Sequence, residues 1–155
     1  MSRTRLAAVT ASALVALMVA TTPMVVANGR PLKAELTGAA EVPGPGDPDG
    51  SGIARLRLNQ GRHRICYTIK VEDITLPATG AHIHAGDAST AGPIVVTLEP
   101  PDETGVSKGC VTGVERSLVK AIRKNRSQYY VNVHTTDFPA GAIRGQLQKW
   151  APGRP

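Results

Sequence analysis

Tyr129-Tyr130-Val131-Asn132-Val133-His134 is the stretch on which the fold turns. Tyr129, Val131 and Val133 share one parity and Tyr130, Asn132 and His134 the other, so an extended chain presents one apolar and one polar face. A helix would scatter the same residues around its axis. The rhythm continues outward. Toward the N-terminus, Ile94, Val96 and Leu98 alternate with Val95 and Thr97. Before them, Ile65, Tyr67, Ile69 and Val71 alternate with Cys66, Thr68 and Lys70, and Ala54, Leu56 and Leu58 with Arg55 and Arg57. Toward the C-terminus, Ile143 and Leu147 flank Gly145 against Arg144 and Gln146. Gly, Pro or Asp bounds these short runs, as expected of half-buried antiparallel strands.

The connections agree. Asn59-Gln60-Gly61 reads as a hairpin turn, and Pro43 to Gly52 (PGPGDPDGSG) as a loop without regular structure. One segment breaks the pattern. Thr112-Gly113-Val114-Glu115 has capping-box spacing, and Val114, Leu118 and Ile122 then recur every four residues while Arg116, Lys120, Arg123 and Lys124 face water. A single short helix is predicted over about 114–125. Short strands at regular spacing, one helix and two cysteines make an all-β Greek-key sandwich the economical architecture.

Residues 1–27 stand apart. Arg3 and Arg5 precede an apolar run from Leu6 to Ala20, then Pro23 and the small-residue site Val25-Val26-Ala27, which reads as a secretory signal peptide with its cleavage site. The run is shorter than the ~20 residues that cross a bilayer, so no membrane span is expected after cleavage. Residues 28–150 then form one domain, and 151–155, with Pro152, Gly153 and Pro155, a disordered tail. The expected location is outside the cytoplasmic membrane: secreted, periplasmic or bound to the cell wall. There, Cys66 and Cys110 most simply pair with each other, the alternative being two buried thiols. Closing that loop contributes at most about 4 kcal/mol on the chain-entropy account. Of 18 basic and 12 acidic residues, the one basic cluster is the helix face at 120–126, and aromatics make up only 3% of the chain, which excludes a nucleic-acid partner.

The candidate chemistry lies with histidine. In a strand His82 and His84 point the same way, their Cα atoms about 6.6 Å apart, with Ile83 turned inward. His134 sits on the face opposite Val131 and Val133. If the two strands are neighbours, His82, His84 and His134 meet on one outer surface as a set suited to Cu(II) or Zn(II). The three methionines all lie in the leader, which disfavours a soft Cu(I) site. Asp87 and Asp137 are candidate carboxylates beside the site, with Asn132, Arg144 and Gln146 on its border. The same histidines could equally serve as hydrogen-bonding partners that stiffen the sheet. His63, between Arg62 and Arg64, is expected in solvent. No catalytic residues are assigned, because no nucleophile elbow or phosphate-cradling loop is present.

Gly80-Ala81-His82-Ile83-His84-Ala85-Gly86, Gly92-Pro93-Ile94-Val95-Val96-Thr97-Leu98, Tyr129 to Thr136, and Gly141-Ala142-Ile143-Arg144-Gly145-Gln146-Leu147 occur in that order. Together they resemble the CHRD (chordin-type) domain family, over roughly Leu32 to Leu147, in an exported bacterial member. The resemblance implies an immunoglobulin-like β-sandwich and little about chemistry. The histidine pattern also looks like part of the copper site of Cu,Zn superoxide dismutases, which take ligands from an HxH strand and from a later valine-rich strand ending in His. Here no histidine lies between His84 and His134 to bridge copper and zinc, so dismutase activity is not expected.

The sequence therefore leads to a secreted, non-catalytic binding or structural module with no certain cofactor. Its partner would be an unidentified extracellular protein or cell-surface component. The alternatives are a copper- or zinc-binding metalloprotein using His82, His84 and His134, and an adhesion domain pairing through a sheet edge.

Overall fold

The computed structural model describes residues 30–150. The signal peptide expected at 1–27 and the tail expected at 151–155 lie outside the described residues. The described chain runs β1 (Arg30–Thr37), β2 (Ser51–Asn59), β3 (Arg64–Glu72), β4 (Gly80–Ala85), β5 (Ile94–Leu98), β6 (Val106–Thr112), α1 (Arg116–Lys124), β7 (Tyr129–His134), β8 (Ile143–Gln146) and β9 (Gln148–Lys149).

All nine strands belong to one antiparallel sheet in the order β5-β4-β7-β8-β1-β2-β3-β6, with β9 pairing onto β1. Its end strands β5 and β6 come into contact, which leaves the sheet nearly closed and barrel-like. The all-β class, the single helix and the disulfide agree with the sequence. The immunoglobulin-like sandwich expected from the family resemblance would have two separate sheets, whereas here hydrogen bonding continues around the corner where Thr37 of β1 meets Arg144 of β8. Gly145 makes that corner possible: a Cβ there would stand 1.9 Å from the carbonyl oxygen of Glu35.

The inward parity matches the expected one. Leu56, Ile65, Ile69, Ile83, Val131 and Val133 belong to a single core and are almost fully removed from water. Each such side chain contributes about 1.5–3 kcal/mol relative to exposure. Ile94 departs from its expected place and is 52% exposed. A register shift between Ile83 and His84 sets Ile83 opposite Val96 but His84 opposite Ile94, so the bulge turns Ile94 to the outer face.

The helix is shorter than predicted. Thr112 is still paired with Arg64 at the end of β6, so no capping box forms, and Glu115 caps α1 without a side-chain hydrogen bond. Its buried side chains are Val119 and Ile122, with Val114 buried just before it. Arg116, Lys120 and Lys124 are exposed as expected. Cys66 and Cys110 are cross-strand partners on β3 and β6 and are disulfide-bonded, the pairing that suits an oxidising compartment. Among the described residues no helix is long and apolar enough to cross a membrane.

Candidate functional site

Because Ala81 and Ile83 are fixed in the core, His82 and His84 must project from the other face of β4. Strand β7 lies beside β4, pairing Gly80 with His134, His82 with Asn132 and His84 with Tyr130. His134 is therefore diagonal to His82, within reach of a long side chain. Gly80 leaves the space the rings occupy: a Cβ there would stand 3.2 Å from His82 Cε1 and 3.5 Å from His134 Cδ2.

The potential ligand atoms of His82, His84 and His134 all lie within 4.8 Å of one another. Ring centroids are 5.6 Å apart for His82 and His84 and 5.0 Å for His82 and His134. The surrounding carbonyls set the tautomers, because a carbonyl oxygen only accepts. His84 Nδ1–H donates to the carbonyl of Gly92 at 2.8 Å, and His134 Nδ1–H donates to that of Pro139 at 3.1 Å. Both Nε2 atoms are thereby left with lone pairs. His134 Nε2 faces His82 Nδ1 at 3.2 Å, which makes His82 the donor in the neutral cluster. His84 Nε2 is buried and has no hydrogen-bond partner. Burial, then repulsion from His134 and His84, holds the His82 imidazolium pKa below its usual value. Burial lowers that of His134 as well, partly opposed by the Pro139 carbonyl. Neutral imidazoles are the form that ligates metal.

The remaining border residues divide. Asn132 sits between His82 and Arg144 across the strands, 3% exposed, with a buried Oδ1 that has no hydrogen-bond partner. Arg144 is only 1% exposed, although its parity points away from the core. Its guanidinium lies over the Tyr130 ring at 3.4 Å and donates to the carbonyls of Asp87 and Thr90. Gln146 donates to the carbonyls of Gly86 and Ser127. These two side chains hold the segment 86–92 over the outer face, which is why that face is buried. The two aspartates do not join the imidazole group. The Asp87 carboxylate accepts from Ser89 and Thr90 within its own loop, and Asp137 accepts from the Thr75 hydroxyl. His63 is exposed, far along the chain from the cluster, as expected.

Four participants escape a sequence reading. Tyr130 stacks on His84 and accepts a hydrogen bond from Gly92 N–H at 3.1 Å. The signal for it was its parity, shared with Asn132 and His134. The carbonyls of Gly92 and Pro139 carry no side-chain signal at all. Glu41 is 7% exposed beside Arg144 and Gln146, in a cleft of about 180 Å³. Burial raises its carboxyl pKa to about 7 against the opposing charge of Arg144 and a backbone hydrogen bond from Val42.

No curated protein matches this chain. A family model, that of the CHRD domain, matches residues 32–147, a span that contains most of β1, all of β2 to β8, and His82, His84 and His134. With that match over most of its length, the chain belongs to the CHRD domain family.

Proposed function

We propose that this chain is an exported, non-catalytic binding module whose ligand is a divalent transition-metal ion, Cu(II) or Zn(II), held by His82, His84 and His134. The observation that carries this is the anchoring of two rings by backbone carbonyls, which leaves two Nε2 lone pairs free, that of His134 facing His82 and that of His84 buried and unpartnered. A hydrogen bond from the second ring nitrogen to a carbonyl is the usual support of a metal-ligating histidine. At metal–nitrogen bonds of about 2.0–2.1 Å, tetrahedral ligand atoms lie about 3.3 Å apart. The 3.2 Å between His82 Nδ1 and His134 Nε2 already meets that value once the Nδ1 proton shifts to His82 Nε2, and the outer bound of 4.8 Å is closed by side-chain adjustment. With the cysteines bonded to each other and no carboxylate in the group, the donors are all imidazole, a set suited to Cu(II) or Zn(II) with an open position for water or an anion.

The leader at 1–27, cleaved on export, supplies the extracellular setting in which the disulfide forms. The eight-strand path divides at the Thr37–Arg144 bridge into halves of four strands each, β5-β4-β7-β8 and β1-β2-β3-β6. That division supports reading the domain as a Greek-key sandwich of immunoglobulin type whose layers are joined at one corner. Meeting end strands offer little free edge, so edge pairing as an adhesion device has little support.

The test is metal analysis of untagged protein loaded with Cu(II) or Zn(II) and dialysed, with calorimetric titration alongside. One ion per chain, with affinity reduced by at least tenfold in His82→Ala and in His134→Ala, is the expected result. Failure to retain stoichiometric metal, or variants that bind as the parent does, would reject the site and leave the histidines a structural role.

A further inference from the structure

The half of the sheet remote from the histidines carries an unexplained charge pattern. Strand register places Lys33, Arg55, Thr68 and Lys108 on one rank across β1, β2, β3 and β6, and Arg57, Cys66 and Cys110 on the next. Their alternate neighbours Ala34, Ala54, Leu56 and Ile69 are in the core, so these side chains face outward. Arg64 and Lys70 share that face. Its carboxylates, Glu35 and Glu72, lie toward the end occupied by Lys70, and the only ion pair among the described residues is Lys33 with Glu35. Lys33 and Arg55 are directly opposite across the strands, a like-charge arrangement that weakens a sheet. The Lys33–Glu35 pair and the Trp150 ring beside Arg55 offset it in part, but the face keeps its net positive charge.

At the centre lies an open groove of about 230 Å³ lined by Arg55, Arg57, Cys66, Tyr67, Thr68 and Trp150. The guanidinium carbons of Arg55 and Arg57 stand 5.3 and 5.9 Å from the centre of the Trp150 ring. Stacked in this way, guanidinium groups are held in place while their N–H edges stay free to bind a carboxylate or sulfate with two parallel hydrogen bonds.

We infer that this face binds an acidic polysaccharide, with Trp150 as the platform for one sugar ring and Arg55 and Arg57 as the anion ligands. Lys33, Arg64 and Lys108 extend the contact along the polymer. Charge complementarity names the sign of the partner, and the single aromatic names its class. A nucleic-acid strand is held by successive stacking platforms, and this face has one. A membrane surface is held most firmly where apolar side chains insert, and the outward apolar side chains of these strands, Ile53 and Val106, sit on the rank of Glu35 and Lys70 at one end of the face. The exposed large hydrophobic among the described residues, Ile94, is on β5, outside these four strands. The groove is independent of the histidine cluster, and neither proposal depends on the other.

Trp150 is the only tryptophan in the chain, so its fluorescence reports this groove directly. The purified protein is titrated with a heparin octasaccharide at low salt, with maltooctaose, an eight-nucleotide single strand and phosphatidylglycerol vesicles as comparison arms. The expected result is a saturable change in emission with the heparin fragment and none with maltooctaose. The double variant R55Q/R57Q should bind about tenfold more weakly, with a shallower dependence of affinity on salt and an unchanged unfolding midpoint. His82→Ala should bind as the parent does. An unresponsive Trp150, a double variant within twofold of the parent, or tighter binding of the nucleotide strand or the vesicles than of the oligosaccharide would each overturn the inference.

Discussion

His84 and Tyr130 stack nearly parallel, 9° apart with ring centroids at 4.7 Å, and the Arg144 guanidinium lies against the same phenol ring at 3.4 Å. The three residues come from β4, β7 and β8 and form a column that fixes one metal-ligand candidate from below. Tyr130→Phe keeps the column and removes only the hydroxyl that accepts from Gly92 N–H. It should lower stability by about 1 kcal/mol and leave metal affinity within about twofold. Tyr130→Ala should lower stability by about 3–5 kcal/mol and, by freeing His84, weaken metal binding about tenfold or more. Urea unfolding and calorimetric metal titration of both variants check the pair.

Gly80 is where the site can be closed without removing a ligand. A Cβ there already meets His82 at 3.2 Å, so Gly80→Val should displace both His82 and His134. The backbone of β4 accepts valine readily, and the expected outcome is a folded protein with an unchanged far-ultraviolet spectrum and no stoichiometric metal. Metal content equal to the parent would show that the rings do not ligate in the arrangement seen here.

The metal-free protein should become less stable as pH falls below about 6.5, the ordinary histidine value. His82 and His134 have lowered pKa values in the fold, so on acidification the unfolded chain takes up protons first and is favoured. Stability then falls until pH drops through the folded values. Between pH 8 and 5 the unfolding midpoint of the parent should fall more steeply than that of the His82→Ala/His134→Ala variant. Parallel pH profiles would contradict this.

Glu41 acts with the opposite sign. Its folded pKa, raised from 4.5 to about 7, means the unfolded chain releases its proton first as pH rises. Stability is lost between about pH 4.5 and 7, and the penalty stays constant above that. Glu41→Gln should therefore stabilise the protein at pH 8 by about 1–2 kcal/mol, after a discount for partial solvent screening, and do little at pH 4. An equal effect at both pH values would show that the variant acts through packing and not through charge.

Strand parity was legible in the residues because period two is a local property. Ala81 and Ile83 inward with His82 and His84 outward, Val131 and Val133 inward with Asn132 and His134 outward, follow from chain geometry once each segment is extended. The same locality explains the misplacements. Ile94 left its expected face because a bulge inserts one residue where β5 pairs with β4, and bulges depend on the partner strand. Thr112 was predicted to cap α1 and instead completes β6, because pairing with Arg64 extends the ladder through it.

The sequence alone determined an all-β chain with one helix, two cysteines whose simplest arrangement is a disulfide, and three outward histidines at spacings compatible with a shared site. Only the tertiary structure decided that β4 lies against β7, that loops 86–92 and 135–142 bring the Gly92 and Pro139 carbonyls onto the rings, and that Arg144 is buried beneath one of them. The physical reason is range. Alternation is set by neighbouring residues, but the pairing of strands more than forty positions apart is set by competition among many apolar faces for one core, with backbone carbonyls as partners that no side chain announces.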